Sequence, residues 1–384
     1  MSHPALPRLL LTPGPLTTSA RTRDAMNRDW GSREADFIAL SESLRARLAA
    51  LANVADTHVA VPVQGSGTFA VEAAVQTLVP RDATLLVLVN GAYGRRIAAI
   101  ARRLGRRVLV LEVAEDQAIG PEPVRCALDA DPSITDVALV HCETTSGLLN
   151  PLPALAEVVR AAGRRLLLDA MSSFGGVPID GAATPFTALM ASSNKALEGV
   201  PGLGFVIAER AHLQASEHVA SSLSLDLHAQ WRGFEADGQW RFTPPVQVVA
   251  ALSAALDQLD AEGGVAARHA RYTRNCDLLV AGMRAHGFTP YLDPALQAPV
   301  IVTFRIPDGG WFRFEAFHEA LQARGIFIYP GKLTHAPSFR IGCIGDVGEP
   351  EMHRVLDAAG VFMSDVAREE PAARTGAVSP VRGR

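Results

Sequence analysis

Lysine is the rarest side chain of chemical interest in this sequence. Lysines and arginines together number 36, but only two of them, Lys195 and Lys332, are lysines. Arginine replaces lysine on a solvated surface, whereas it cannot replace a lysine that must lose its proton and attack a carbonyl carbon. Most lysines are simply exposed, so the neighbourhood of each one has to decide between a surface role and a chemical role.

An aspartate precedes Lys195 by one strand. Asp169 ends the apolar run of residues 165–169, and Lys195 follows a second β-like run over residues 186–190. Because burying an isolated carboxylate is costly, an aspartate on an apolar strand is either paired or exposed. One suitable partner is the protonated pyridine nitrogen of pyridoxal phosphate (PLP), which the aspartate keeps cationic so that the ring withdraws electrons. A lysine one strand further along can reach the aldehyde on the other side of that ring.

A glycine-containing loop, residues 64–68, lies between a β-like run and a helical pattern. Its glycines allow a close approach to an anion, toward which the N–H groups of the helix start would point. Ser66 and Thr68 add hydroxyl donors. The loop is neither a Walker loop nor a dinucleotide fingerprint, and an ordinary capped turn is the alternative. The loop is followed along the chain by Asp169 and then by Lys195. This combination indicates a PLP site more specifically than any one of the three features does.

The alternation of elements predicts an α/β fold. Predicted strands cover residues 84–90, 108–112, 136–141, 165–169, 187–191 and 203–208, and predicted helices cover 69–79, 95–104, 122–130 and 152–162. Strands rich in valine and leucine that alternate with helices indicate a mostly parallel sheet with both faces covered by helices. Three strands end in a polar residue, Asn90, His141 or Asp169, at the carboxyl edge where ligands bind.

The chain divides into two predicted domains and a tail. Residues 1–264 form a large domain with an N-terminal arm, and residues 265–367 form a smaller C-terminal α/β domain. The boundary follows a helical stretch at 245–262 that ends in a pair of glycines. Residues 368–384 contain too little apolar surface to bury a core and are expected to be disordered.

Composition excludes several classes of protein. A hydrophobic content of 48% predicts a substantial core, and a net charge of −4 leaves no basic surface for nucleic acid. The four cysteines are scattered, without the pairs of a zinc ribbon or a disulfide framework. The first residues lack the features of a signal peptide, and no stretch approaches the ~20 apolar residues of a membrane span. We therefore expect a cytoplasmic protein.

Motifs over residues 8–365 resemble those of the class V aminotransferases, which are fold type I PLP enzymes. They lie at residues 11–15, 64–68, 90–94, 141–147, 169–175, 240–245, 329–333 and 339–345. The resemblance implies a PLP-dependent transferase that forms a homodimer with shared active sites. Its last motifs favour amino transfer from 2-aminoethylphosphonate to pyruvate, a step of phosphonate catabolism. Transfer from alanine to glyoxylate, or from serine to pyruvate, is the alternative.

Two other activities fit the residues less well. A cysteine desulfurase shares this fold but needs a mobile cysteine before the late arginine, whereas Cys343 follows Arg340. A cofactor-free scaffold or a nucleotide-binding module could be built on the same sheet, but neither explains the order of loop, aspartate and lysine. His141 and Lys332 are interpreted as structural residues.

The resemblance also implies roles for individual residues. Lys195 would form the aldimine with PLP and then move the substrate proton, while Asp169 would pair with the pyridine nitrogen and Tyr93 would stack on the ring. Thr145 would lie near the ring hydroxyl. Arg340 would bind the substrate carboxylate, or the phosphonate, in a bidentate fork. The cofactor phosphate would be held by Ser66, Gly67, Thr68, Asn194 and the partner subunit's Thr243.

One segment departs from the pattern that the resemblance implies. Arg33 and Glu34 stand where a Trp-Asp pair is expected in bacterial phosphonate enzymes, and an arginine there is typical of the wider family. Our hypothesis is that Arg33 reaches a substrate anion. The Arg33→Ala variant is therefore expected to show a higher KM for 2-aminoethylphosphonate in steady-state assays. A KM equal to that of the wild type would contradict this role.

Overall fold

The computed structural model describes residues 8–308 and 310–375. Its strands are β1 (Leu9–Leu10), β2 (His58–Gln64), β3 (Thr84–Val89), β4 (Arg107–Glu112), β5 (Ile134–Val140), β6 (Cys142–Glu143), β7 (Leu148–Leu149), β8 (Arg165–Asp169), β9 (Ala188–Ser192), β10 (Leu203–Glu209), β11 (Ile301–Arg305), β12 (Ile326–Phe327), β13 (Tyr329–Pro330) and β14 (Ser338–Gly342). Its α-helices are α1 (Ala20–Asp24), α2 (Ala35–Leu51), α3 (Gly67–Leu78), α4 (Ala92–Arg103), α5 (Pro121–Ala130), α6 (Leu152–Ala161), α7 (Arg210–Ala215), α8 (Leu227–Asp237), α9 (Val246–Glu262), α10 (Gly264–Ala285), α11 (Phe314–Gln322) and α12 (Glu349–Thr375).

The central sheet has seven strands in the order β2-β10-β9-β8-β5-β3-β4. Only β10 runs antiparallel to its neighbours, β2 and β9, and the other pairings are parallel. Both faces are buried. Along β3, Leu86 and Leu88 belong to one hydrophobic cluster, whereas Leu85 and Val87 belong to the cluster on the opposite face. The predicted α/β class with a mostly parallel sheet is confirmed, and the alternation explains why these strands are apolar throughout.

This strand order brings the chemically interesting segments to one edge of the sheet. Because β2 is antiparallel to β10, and β10 is antiparallel to β9, the strand β2 runs in the same direction as β9. The loops that follow β2, β3, β5, β8 and β9 therefore all leave the sheet at its carboxyl edge. Ligands of open α/β sheets bind at this edge.

The C-terminal part has its own antiparallel sheet, in the order β11-β14-β13. Its core also contains Leu9 and Leu11 from the start of the chain, because β1 pairs in parallel with β12. The N-terminal arm therefore crosses from the C-terminal part toward the carboxyl edge of the large sheet. We propose the division at residues 264 and 265 as the domain boundary, since α10 begins at Gly264.

The last helix continues further than the sequence predicted. Helix α12 runs to Thr375, whereas disorder was expected from residue 368, and residues 376–384 lie outside the described part of the chain. Met352 and Val355 anchor this helix in the C-terminal core. In residues 8–308 and 310–375, no helix combines the length and the apolar character needed to cross a membrane.

A buried ion-pair network fixes the loop after Lys195 to α10. Glu198 accepts hydrogen bonds from Arg271 Nη2 at 2.8 Å and from Tyr272 Oη at 2.5 Å. Its second oxygen lies 3.5 Å from Nη2 of Arg268, whose side chain is 1% exposed. Arg268 and Arg271 also bind Glu262 at the end of α9. Glu198 and Arg268 are buried, whereas Arg271 and Glu262 are partly exposed, so the buried pair depends most on its partners.

The Glu198→Ala variant is expected to lose about 3–5 kcal/mol of unfolding free energy, because it leaves buried arginines without one of their two carboxylates. Urea denaturation of the variant and the wild type measures this loss. The matched control is Glu157→Ala, which breaks the exposed pair of Glu157 with Arg160 on α6 and should leave stability unchanged. Equal effects of the two variants would contradict the structural role of Glu198.

Candidate active site

Four loops at the carboxyl edge of the large sheet enclose a cavity of about 180 Å³. These loops follow β2, β3, β8 and β9. The residues that line the cavity are Ser66, Gly67, Thr68, Val71, Tyr93, Arg96, Ile97, Asp169, Met171, Ser192, Asn194 and Lys195. Seven residues that the sequence pointed to are thus brought together from four separate segments, namely Ser66, Gly67, Thr68, Tyr93, Asp169, Asn194 and Lys195.

One end of the cavity is suited to an anion. It is formed by the start of α3, where the Ser66 hydroxyl makes no capping hydrogen bond to the helix. Gly67 lies directly against Met171, whose side chain would have to move if residue 67 had a Cβ. Arg96 of α4 donates a hydrogen bond of 3.3 Å to Thr68 Oγ1. Hydroxyl groups, a helix start and a guanidinium therefore converge where a phosphate can bind.

Lys195 lies beside the N-terminal arm. Its Nζ is 3.4 Å from the carbonyl oxygen of Gly14. Gly14 has a φ of +120°, and a Cβ there would lie 2.7 Å from Lys195 Cδ. Burial lowers the pKa of Lys195; the nearby Arg340 and Lys332 lower it further, and Tyr93 and Asp169 act in the opposite direction. A lowered pKa favours the neutral, nucleophilic amine.

Asp169 is a buried carboxylate with unused hydrogen-bonding capacity. Its side chain is only 4% exposed, and its Oδ1 accepts a hydrogen bond of 2.9 Å from the backbone N–H of Met171. Within the described residues, no other hydrogen bond reaches this carboxylate. Burial raises the pKa of Asp169 to about 6. A cation placed in the cavity against its free oxygen would remove this penalty.

Tyr93 is held in place by a buried carboxylate behind the cavity. Glu143 accepts hydrogen bonds from the backbone N–H of Tyr93 at 3.2 Å and of Gly94 at 3.3 Å, at the start of α4. The Thr145 hydroxyl donates a hydrogen bond of 2.5 Å to Glu143, and it accepts one from the backbone N–H of Ala92. Burial raises the pKa of Glu143, and these donors partly offset the effect. Thr145 therefore lies behind the cavity lining, and its contact with a ring hydroxyl stays a prediction.

The C-terminal part brings two cations to Tyr93. Arg340, on β14, donates from Nε to the carbonyl of Pro330 at 3.1 Å and from Nη1 to the carbonyl of Thr144 at 2.9 Å. Burial lowers the pKa of Arg340, which Tyr93 partly offsets. Lys332 Nζ lies 5.2 Å from the centroid of the Tyr93 ring. Lys332 therefore lies close to the site, because the turn before β14 folds back toward Tyr93.

Four of the predicted site residues are not among those that line the cavity. Thr145 lies behind the lining and Arg340 lies next to Tyr93, whereas Arg33 and Thr243 lie elsewhere in the single chain. Arg33 is exposed in the turn before α2, and none of the described contacts joins it to the cavity. Thr243 is exposed as well, and it lines a separate cavity of about 490 Å³ next to Gln64, Gly65 and Phe69. Thr243 is therefore close to the phosphate loop of its own chain without reaching the cavity.

His141 is buried behind Asp169. Its backbone N–H donates to the carbonyl of Asp169 at 2.8 Å, and its Nδ1 lies 3.0 Å from Ser173 Oγ. Burial lowers the pKa of His141 to about 4, so the ring is neutral near pH 7. This packing agrees with its interpretation as a structural histidine.

Sequence reasoning missed Arg96, Met171 and Gly14 as individual members of the site. Arg96 had a detectable signal, because it lies three residues after Tyr93 and therefore on the same side of α4. Met171 follows Asp169 by two residues on the same strand exit. The contact between Gly14 and Lys195 had no local signal, since it depends on the path of the N-terminal arm.

Comparison with known proteins identifies the family. The family model of the class V aminotransferases (Aminotransferase class-V) matches residues 18–347. The chain therefore belongs to the class V aminotransferases, and the family resemblance drawn from its motifs is confirmed together with the fold type I architecture.

Several relatives have names that specify a reaction. The chain is 56% identical over 341 residues to 2-aminoethylphosphonate–pyruvate transaminase 2 of Burkholderia lata, covering 89% of this chain and 91% of the relative. It is 53% identical over 361 residues to 2-aminoethylphosphonate–pyruvate transaminase of Pseudomonas putida, covering 94% and 97%. The crystal structure of alanine–glyoxylate aminotransferase from Nostoc sp. superposes with a TM-score of 0.85 at 26% identity, covering 96% of each chain.

The residues that line the cavity fit PLP. The free oxygen of Asp169 suits a protonated pyridine nitrogen, and the loop with Ser66 and Thr68 suits the phosphate. Tyr93 and Met171 provide an aromatic and an apolar wall for the ring. Lys195 is the one lysine among the lining residues.

The Asp169→Asn variant is expected to be a more stable apoprotein with weaker affinity for PLP. Because folding raises the pKa of Asp169 from 3.8 to about 6, the ionised carboxylate destabilises the folded state, increasingly so as the pH rises from about 4 to 6. Asparagine removes this cost, so urea unfolding should show a gain of about 3 kcal/mol at pH 8 that shrinks toward zero at pH 4. A variant that is less stable than the wild type at pH 8 would contradict this account.

Proposed function

We propose that the protein binds PLP in this cavity and transfers the amino group of 2-aminoethylphosphonate to pyruvate, giving phosphonoacetaldehyde and L-alanine. One observation carries this proposal. The cavity joins Asp169, Lys195 and an anion-binding loop in a chain that is 56% identical to a relative named for this reaction.

Bound PLP would supply an electron sink for the carbanion that forms when the amine-bearing carbon of the substrate loses a proton. Asp169 would keep the nitrogen of the cofactor ring protonated, because its buried carboxylate would be stabilised by an adjacent cation. Lys195 Nζ is the group that accepts the proton from the substrate carbon and later returns one. Burial lowers the pKa of Lys195, which favours the neutral amine that this transfer needs.

Arg340 binds the acid group of each substrate in turn. Its Nε and Nη1 are held by the carbonyls of Pro330 and Thr144, so the side chain has a fixed direction. The remaining N–H groups are available to Tyr93 and to a substrate anion. The aminophosphonate carries its anion one methylene beyond the amine-bearing carbon, and the keto acid carries its carboxylate directly on the carbonyl carbon, so both anions lie within two bonds of the reacting carbon. One anion site can therefore serve both halves of a ping-pong reaction.

The remaining site assignments concern the cofactor phosphate and the dimer. Ser66, Gly67, Thr68 and Asn194 would hold the phosphate, assisted by Arg96. Support for a dimer comes from the surface around Thr243, where Phe69 is 50% exposed and Phe242 is 48% exposed. Exposed aromatic side chains next to the phosphate loop are typical of an interface. In a homodimer with shared sites, Thr243 of one subunit would complete the phosphate site of the other, and Arg33 would reach its substrate.

The test is the absorption spectrum of the purified holoprotein, recorded before and after 2-aminoethylphosphonate is added without a keto acid. We expect the yellow band of bound PLP to disappear and pyruvate to restore it, because the amino group passes to the cofactor and then to the keto acid. The Lys195→Ala variant should show neither change, since it lacks the group that moves the proton.

Two results would contradict the proposal. A yellow protein that ignores 2-aminoethylphosphonate but loses its band with alanine or serine would assign it to the alternative amino donors on the same fold. A colourless protein that gains no band when PLP is added would contradict the cofactor itself. Turnover by Lys195→Ala at the wild-type rate would contradict the role of that lysine.

A further inference from the structure

We propose that Lys332 is a second cation for the acid group of the substrate, and that it gives the site its preference for a phosphonate over a carboxylate. This inference rests on the proposed function and deepens it. The proposed function uses Arg340, which lies next to Tyr93, as the anion-binding side chain, and it gives no role to Lys332.

Lys332 lies near the Tyr93 ring, as do the two other cations Lys195 and Arg340. Its Nζ is 5.2 Å from the centroid of the Tyr93 ring. Burial alone would raise the pKa of Tyr93, but the surrounding positive charges of Lys195, Lys332 and Arg340, with a hydrogen bond to Thr144, lower it overall. Lys332 and Arg340 also both lower the pKa of Lys195. Lys332 therefore lies close enough to lower the pKa values of both Tyr93 and Lys195.

The ammonium group of Lys332 is available to a ligand. Its side chain is exposed, and within residues 8–308 and 310–375 it forms neither a hydrogen bond nor an ion pair with a carboxylate. Arg96 also lies over the Tyr93 ring, at 4.8 Å, but it is bonded to Thr68 at the phosphate-loop end of the cavity. The two cations thus belong to different ends, Arg96 with the cofactor phosphate and Lys332 with Arg340.

The loop that carries Lys332 is anchored on both sides. At its start, the N–H of Gly331 donates to the carbonyl of Ser338 at 2.8 Å, and a side chain at Gly331 would overlap Ser338. On its far side, the backbone N–H and the hydroxyl of Thr334 donate to Glu115 at 3.0 and 3.1 Å. Glu115 is 1% exposed. These hydrogen bonds hold the loop in place. Lys332 therefore differs from a lysine on a freely moving surface loop.

The geometry of the two anions explains why a second cation matters. A carboxylate has two oxygens in one plane and one negative charge, and the planar fork of a single arginine can match it. A phosphonate has three oxygens in a tetrahedral arrangement and up to two negative charges. Arg340 leaves at least one of these oxygens without a partner. The compact ammonium of Lys332, with three rotatable donors, can approach that oxygen.

The test compares two unreactive ligands that share an ethyl group, ethylphosphonate and propanoate, by calorimetric titration of the holoprotein at pH 8. The Lys332→Gln variant should bind ethylphosphonate about tenfold more weakly than the wild type does, which is the loss of one charge-assisted contact. Its affinity for propanoate should change much less. The Lys332→Arg variant should recover most of the affinity for ethylphosphonate, because it keeps the charge.

The matched control is Arg102→Gln, which removes an exposed cation from the far end of α4 and should leave both affinities unchanged. Equal weakening of both ligands in Lys332→Gln, or no change in either, would overturn the proposal. Neither titration requires turnover, so a failure of Lys332 is distinct from a failure of the proposed function. The latter would appear as a wild-type holoprotein whose yellow band survives 2-aminoethylphosphonate.

Discussion

The buried charge of Asp169 is the constraint on which the rest of the site depends. A carboxylate at the end of β8, away from water and with one hydrogen bond, destabilises the protein unless a cation comes to it. The cavity is open to such a cation on the side of Lys195 and closed on the other side by His141 and the strands beneath. The sheet order sets this arrangement, because β9 and β5 flank β8 and bring their loops to both sides of the carboxylate.

Three buried glutamates keep the walls of the cavity in place, and none of them lines it. Glu143 holds the start of α4 and with it Tyr93. Glu198 ties the loop of Lys195 to α10. Glu115 accepts a hydrogen bond from Thr334 in the loop that carries Lys332, and it is also paired with Arg95 of α4. Each carboxylate joins a loop of the site to a helix, so the positions of the reacting groups depend on charges that lie one layer behind them.

The sequence was a good guide to the large sheet, because strands buried on both faces are continuously apolar and could be recognised one by one. Lys195, Asp169 and the loop around Gly67 could be recognised for the same reason, since each follows one of these strands. Helix α2 was overlooked although Phe37, Ser41, Leu44 and Leu48 recur at helical spacing and are all buried. The strand pair formed by β1 and β12 could not be predicted, because two residues of β1 carry no periodic signal and their partner lies more than 300 residues away.

The position of Lys332 beside Tyr93 could not be predicted for a similar reason. Its immediate neighbours are glycine, leucine and proline, and nothing in that local pattern points to Tyr93, which comes 239 residues earlier. Arg33 and Thr243 show the converse problem. The family motif marks both residues, whereas both are exposed in the fold of a single chain. The roles proposed for them would therefore require a second subunit.

The most direct test of the account uses the fact that this chain has two lysines. Treating the holoprotein with borohydride makes the bond between PLP and a lysine permanent, and peptide mass mapping then locates it. We predict one phosphopyridoxyl group per chain, on Lys195, with Lys332 unmodified. A group on Lys332, or none on either lysine, would contradict the site described here.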